Sequence, residues 1–144
     1  MGTLEENKEI VRRFFSEFAN QRNFSVADEL VSEEFVMHTP GRDLIGVEAV
    51  KQAYSASSNS FPDILYTVED IVAEGDKAAF RVTIQGTHTQ PFRNLAPTNR
   101  TFEISRFVIM HLDNGKFFEG WVLDDNLGGY QQLGALPPTE GIEK

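Results

Sequence analysis

The chain has no cysteine, which excludes a disulfide framework, a thiolate nucleophile and a cysteine-bound metal cluster and leaves folding to the core alone. Positive charge is also scarce: 13 Lys and Arg stand against 22 Asp and Glu, a net charge of −9. A surface of that sign repels phosphates instead of displacing their counterions, so no nucleic-acid partner is expected. Long apolar runs are missing; the stretch Phe107-Val108-Ile109-Met110 is far shorter than the roughly 20 residues of a membrane helix, so no membrane partner is expected. The opening Met1-Gly2-Thr3-Leu4-Glu5-Glu6-Asn7 has neither the basic nor the apolar region of a signal peptide, and the expected location is cytoplasmic. His38, His88 and His111 are too far apart for a short metal motif. No glycine-rich phosphate loop or nucleophile elbow occurs, so no metal, organic cofactor or covalent intermediate is expected.

What is present is enough for one core. The 144 residues are 40% hydrophobic and include 12 Phe, 3 Tyr and 1 Trp, too apolar and too aromatic for a disordered chain and too short for two ordinary domains. A single domain over 1–144 is expected, with its core from about 4 to 134 and a short C-terminal tail. Ile10, Phe14 and Phe18, flanked by Val11 and Phe15, recur at helical spacing, with Thr3 and Glu6 as a capping box. Ser25 and Asp28 start a second short helix, Phe35 to His38 forms a brief strand, and a third helix follows Gly46 with Val47, Val50 and Tyr54 on one side. After Phe61-Pro62-Asp63 the period becomes two, giving strands over 64–73, 77–88, 101–112 and 117–124. Helices followed by a strand meander make an α+β domain with helices on one face of the sheet.

The other face is informative. Asp113-Asn114-Gly115 suits a three-residue hairpin loop, and Asn114-Gly115 alone a two-residue one, with different registers. In the first, Arg106 lies opposite Val122 and Val108 opposite Gly120 on one face, while Phe107, Ile109, Trp121 and Leu123 occupy the other. Both faces then carry large apolar groups, and helices can cover only one. The second is expected to meet another copy in a homodimer or larger homo-oligomer.

His38-Thr39-Pro40, Gly46, Phe61-Pro62-Asp63, Glu74-Gly75-Asp76, Gly86-Thr87-His88, Ala96-Pro97-Thr98, Asp113-Asn114-Gly115-Lys116, Trp121 with Asp125 four residues on, and Gln131-Gln132-Leu133-Gly134 together resemble the SnoaL-like polyketide cyclases of the nuclear transport factor 2-like superfamily. The likeness runs from the first helix to Gly134. It implies a cone-shaped α+β fold, a curved, mainly antiparallel sheet wrapped by three N-terminal helices around an apolar pocket, in dimers or tetramers. It also implies aldol chemistry without metal or cofactor, in which an aspartate in the pocket takes an acidic proton. Setting Gly115-Lys116 and Gln132-Leu133-Gly134 in register puts Val122 where those cyclases carry the base, Val108 where they carry its histidine partner and Arg106 where they have an amide. Any catalysis here therefore needs another base. The same register sets Phe18 at an aromatic pocket position and retains His88.

Asp125, four residues after Trp121 at the end of the last strand, is a candidate base, although Asp124-Asp125-Asn126 equally reads as a strand exit and helix N-cap. His38 in the cavity would be a base or donor; otherwise it is bonded to backbone. His88 shares the alternation of Phe80, Val82 and Ile84 and is a candidate either for catalysis or for a structural hydrogen bond. Arg106, in an otherwise apolar run, would bind a carboxylate or polarise a carbonyl, or else form an ion pair. Phe18, Tyr54, Val108, Trp121 and Val122 are the candidate substrate-binding residues. The expected function is a cofactor-independent cyclase, isomerase or lyase acting on a small apolar carbonyl or polyketide-like molecule by general acid/base catalysis. The alternative is a non-catalytic ligand-binding or scaffold protein on the same fold.

Overall fold

The computed structural model describes residues 2–137; the end of the expected C-terminal tail lies outside them. Helix α1 (Leu4–Arg13) starts at Thr3, whose hydroxyl accepts from the Glu6 N–H while the Glu6 carboxylate accepts from the Thr3 N–H. It continues as a π-helical segment, Phe14–Asn20, that buries Phe14, Phe15, Phe18 and Ala19. A 3₁₀ turn, Phe24–Val26, leads into the single turn of α2 (Ala27–Leu30). Strand β1 (Val31–Thr39) and the short β2 (Arg42–Ile45) form a hairpin, followed by α3 (Val47–Ser60). The long strands β3 (Leu65–Glu74), β4 (Lys77–Thr87), β5 (Thr101–Asp113) and β6 (Lys116–Asp124) come next, and α4 (Asn126–Gln132) closes the described chain.

The result is an α+β fold around one six-stranded sheet in the order β2-β1-β6-β5-β4-β3. All neighbours are antiparallel except β1 and β6, which run parallel. That parallel pair and strand β2 are absent from the sequence expectation. Arg42-Asp43-Leu44-Ile45 is short and half charged, so its pairing comes from the turn at Pro40-Gly41, not from a periodic signal.

Of the two hairpin registers that the sequence allows, the last hairpin takes the one with the two-residue turn, so the pairs read from the three-residue loop do not form. Asn114 and Gly115 both take positive φ (51° and 76°), forming a two-residue turn that pairs Asp113 with Lys116. A bulge follows, because Leu112 pairs with Phe117 but His111 with Glu119, leaving Phe118 as the extra residue. From there the register places Val108 opposite Val122 and Arg106 opposite Asp124. The division of faces is as the alternation predicts. Val108, Met110 and Leu112 are buried beneath the helices, while Phe107, Ile109, Trp121 and Leu123 are exposed on the far side.

The core joins α1, its π-helical extension and α3 to the concave face of the sheet. Phe14 stacks on Phe18 with ring centroids 4.7 Å apart and meets the Tyr54 ring edge-on at 5.4 Å. The Asn20 side chain exchanges two 2.8 Å hydrogen bonds with the Tyr66 backbone, fixing the π-helical segment to β3. At the other end the Asp63 carboxylate accepts from the Thr87 N–H and hydroxyl (2.8 and 2.7 Å), tying the turn after Pro62 to the end of β4.

Candidate functional site

The concave face does not close on itself. A cavity of about 370 Å³ remains between the sheet, the start of the π-helical segment and α3. Most of its lining residues are apolar, with Phe14, Phe15, Phe35, Phe80, Val108 and Val122 among them, while hydroxyl, amide and charged side chains also contribute to the wall. A volume of that size suits a small organic molecule. Seven consecutive π-helical residues are uncommon, and the widened turn turns both Phe14 and Phe15 toward this space.

Tyr54, Arg106 and Asp124 form a hydrogen-bonded cluster in this wall. Arg106 grips Asp124 across the β5–β6 ladder with two parallel bonds, from Nε to Oδ1 at 2.7 Å and from Nη2 to Oδ2 at 2.9 Å. Its Nη1 donates to the Tyr54 hydroxyl at 2.9 Å. Arg106 and Asp124 keep only 20% and 18% of their side-chain surface accessible; both line the cavity, and that surface faces it. Desolvation opposes the Arg106 charge, but the Tyr54 oxygen and the Asp124 carboxylate outweigh it and keep the guanidinium charged. Desolvation also pushes the Tyr54 phenol well above its ordinary range, with Arg106 pulling it partly back. Tyr54 therefore stays protonated, and because its oxygen already accepts from Arg106, its proton is free to donate into the cavity. Asp124 is the one carboxylate among the lining residues.

Of the candidates read from sequence, Arg106, Tyr54, Val108 and Val122 line this cavity. The others lie elsewhere. Asp125 is exposed and caps α4, its Oδ1 accepting from the Gly128 N–H at 2.9 Å. His38 is not directed into the cavity. Its Nδ1 lies 3.0 Å from Asp43, its Nε2 2.7 Å from Glu119, and its ring stacks on Trp121 at 5.2 Å. Trp121 is thus on the outer face, because it pairs with Ile109 and alternates with Val122. His88 is fully buried, with Nδ1 bonded to the Thr98 hydroxyl and N–H (2.9 and 3.2 Å), and it is not among the lining residues. Phe18 is buried in the aromatic core beside Phe14 and Tyr54, one layer behind the cavity.

The residue that sequence reasoning missed is Asp124. The signal was present: Val122 and Asp124 are two apart on one strand and share a face, so placing Val122 on the pocket side also places Asp124 there. Arg42 and Arg93 also line the cavity and carry no periodic signal, since one begins a four-residue strand and the other sits in the β4–β5 loop.

Residues 9–133 match the family described as SnoaL-like polyketide cyclase. No curated protein is significantly similar in sequence. Among solved structures, IdmH from Streptomyces antibioticus, described as a candidate polyketide cyclase, is 28% identical with a TM-score of 0.80, the match covering 89% of this chain and 98% of that one. A candidate polyketide cyclase from Bacillus cereus is 30% identical with a TM-score of 0.77, over 91% of this chain and 82% of that one. TsrD from Streptomyces laurentii is 26% identical with a TM-score of 0.86, over 94% and 100%. A match over most of the chain, on the fold just described, places this protein in the SnoaL-like polyketide cyclase family.

Proposed function

We propose that the cavity is the active site of a cofactor-independent cyclase or isomerase that enolises a small, ring-bearing carbonyl compound. The observation that carries this reading is the hydrogen-bonded Tyr54–Arg106–Asp124 cluster in the cavity wall, with Val108 and Val122 lining the same cavity. Asp124 takes a proton from the carbon beside a carbonyl, and the electron pair of that C–H bond becomes the enolate. Tyr54 donates its hydroxyl proton as a hydrogen bond to the carbonyl oxygen, where negative charge develops. Arg106 has a double role, orienting the base by two bonds and polarising the Tyr54 O–H by a third. The enolate then attacks a second carbonyl of the same molecule, closing a ring, or is reprotonated at another carbon. The carboxylic acid of Asp124 returns the proton in either case. A carboxylate abstracts effectively only an acidic C–H, such as one flanked by two carbonyls, which suits a polyketide-like substrate.

Deuterium exchange at the α-carbon of 2-tetralone in D₂O, followed by NMR, tests the roles without a known substrate. The wild type accelerates exchange; Asp124→Asn loses at least about a hundredfold and Tyr54→Phe about tenfold, whereas Asp125→Asn and His38→Ala exchange like wild type. Full acceleration in Asp124→Asn would remove it as the base. A second reading, a non-catalytic ligand-binding protein, is favoured by Val108 and Val122, which face each other across the ladder at positions where the family resemblance implies a histidine and a base. Saturable binding of 2-tetralone with no acceleration of exchange would establish that reading.

The outer face supports a second proposal, self-association. Val72, Ala79, Ile109, Trp121 and His38 lie in one file across five strands, with Phe107 and Leu123 in the next. Phe107 and Leu123 are 57% and 63% exposed in the single chain. A continuous apolar strip of this kind is covered in stable proteins, and a second copy offers a matching one.

A further inference from the structure

The opening of the cavity differs in charge from the rest of the molecule. The residues lining the cavity include three arginines and one aspartate, in a chain whose net charge is −9. The aspartate, Asp124, is charge-paired with Arg106. That leaves Arg42 and Arg93, both exposed and both lining the cavity, which places them where it meets solvent. Among the described residues neither has a carboxylate within ion-pair distance, although acidic groups outnumber basic ones and Arg12, Arg13, Lys51 and Arg81 all have such partners.

The two arginines come from different elements. Arg42 opens β2 at the turn of the first hairpin, where the Thr39 hydroxyl donates to its carbonyl at 2.6 Å. Arg93 is at the tip of the β4–β5 loop, in a tight turn closed by paired hydrogen bonds between Phe92 and Leu95 (3.0 and 2.9 Å). Its backbone is left-handed, φ 53°, a conformation that glycine adopts freely and an arginine only under strain. Its guanidinium is nevertheless held in place, donating to the Tyr130 hydroxyl at 2.9 Å and lying 4.9 Å over the Phe92 ring. Phe92 is itself a lining residue. A strained backbone that presents a braced, ion-unpaired guanidinium at the mouth of an apolar cavity is a ready anion receptor.

We infer that the substrate is an anionic amphiphile: a carboxylate or phosphate ester at one end is held between Arg42 and Arg93, while its apolar, carbonyl-bearing body lies inside against Tyr54, Arg106 and Asp124. This rests on the reading of the cavity as the substrate site. The two arginines then set specificity and orientation, since an anionic head at the lips fixes which carbon reaches Asp124.

Titration of the full chain with 2-naphthylacetate, its methyl ester and 2-naphthyl phosphate, followed by calorimetry at low and high salt, tests this. The acid is expected to bind about tenfold tighter than the ester at low salt, with the preference shrinking as salt rises. Arg42→Gln and Arg93→Gln, exposed positions that leave the fold intact, each lower acid affinity about three- to fivefold and leave the ester unchanged. Tighter binding of the phosphate than of the acetate assigns the lips to a phosphate ester, and the reverse order to a carboxylate. Equal affinity for acid and ester, or equal losses for both in the arginine variants, overturns the inference while ester binding blocked by Val122→Phe keeps the cavity as the site. If neither ligand binds, or Val122→Phe and Ala53→Phe leave binding untouched, the inference falls together with the reading of the cavity.

Discussion

The two faces of the β5–β6 ladder invert the usual arrangement of a half-buried sheet. On the concave side a guanidinium and a carboxylate, Arg106 and Asp124, lie under the helices. Their direct chain neighbours Phe107 and Leu123 lie on the convex side in water. The pattern is a strict alternation, so no local irregularity explains it. A folding domain gains nothing from burying charge and exposing large apolar groups, and under the two proposals above each face has a counterpart: inside, a molecule whose developing charge the cluster would stabilise; outside, a second apolar strip.

The sharpest way to break the comparison is to neutralise one member of the inner pair. Arg106→Leu leaves the Asp124 carboxylate facing an apolar wall with no counter-charge, and the expected cost is about 3 kcal/mol in urea unfolding. Adding Asp124→Leu to it recovers most of that loss, because an apolar pair of similar volume satisfies the cavity wall. Additive losses would instead mean that the two residues are held independently, and that the pair does not act as a unit.

The outer face gives the next effect. Trp121→Asp or Leu123→Asp places charge in the middle of the strip, and sedimentation is expected to show the wild type as an oligomer and both variants as monomers. Unfolding of the monomeric variants at a given chain concentration should shift only as far as lost assembly demands. A wild type that sediments as a monomer would leave the exposed file without a partner.

The sequence made the alternation legible but not the register. Capping at Thr3, the helical spacing of Ile10, Phe14 and Phe18, and the period-two runs from residue 64 onward each follow from local physics and reappear in the fold. Whether Arg106 faces Val122 or Asp124 depends on two single-residue steps, the choice of the two-residue turn and the extra residue Phe118 in the bulge, without which Arg106 would face Leu123. A bulge has no composition of its own; Phe118 is accommodated by packing edge-on against His111 at 5.6 Å, a contact that exists only once the strands have paired. The β1–β6 parallel pairing and the placing of His38 were illegible for the same reason, since they join residues some 80 positions apart. Asp124 and Asp125 are adjacent in sequence but differ in setting, because β6 ends at Asp124, on the cavity side with Val122, and Asp125 is already the N-cap of α4.

The different settings of the two aspartates give a smaller and separable effect. Asp125→Ala removes the cap of α4 and is expected to cost about 1 kcal/mol, while the exchange activity assigned to Asp124 stays at the wild-type level. Gly128 belongs to the same device, because the Asp125 carboxylate occupies the space a Cβ there would need. Loss of activity in Asp125→Ala with the stability unchanged would reverse the roles of the two aspartates.

The smallest expected effect concerns His38, at the edge of the outer strip. Glu119 first and Asp43 second raise its pKa above the ordinary 6.5. NMR titration should therefore find its midpoint above that value, with Glu119→Gln lowering it more than Asp43→Asn. The sign for stability follows from the elevated folded-state value. The contribution is fully present below the unfolded-state pKa, as long as both carboxylates stay ionised, and it is lost as the pH rises through the folded-state one. The inner cluster has no such window, because its surroundings raise both pKa values, holding Arg106 charged and Tyr54 protonated. Between pH 6 and 9 any change in assembly should then track His38 and disappear in His38→Gln, while exchange at the cavity keeps its own profile. A common pH profile for the two, retained in His38→Gln, would mean that the faces are coupled through the ladder and do not act separately.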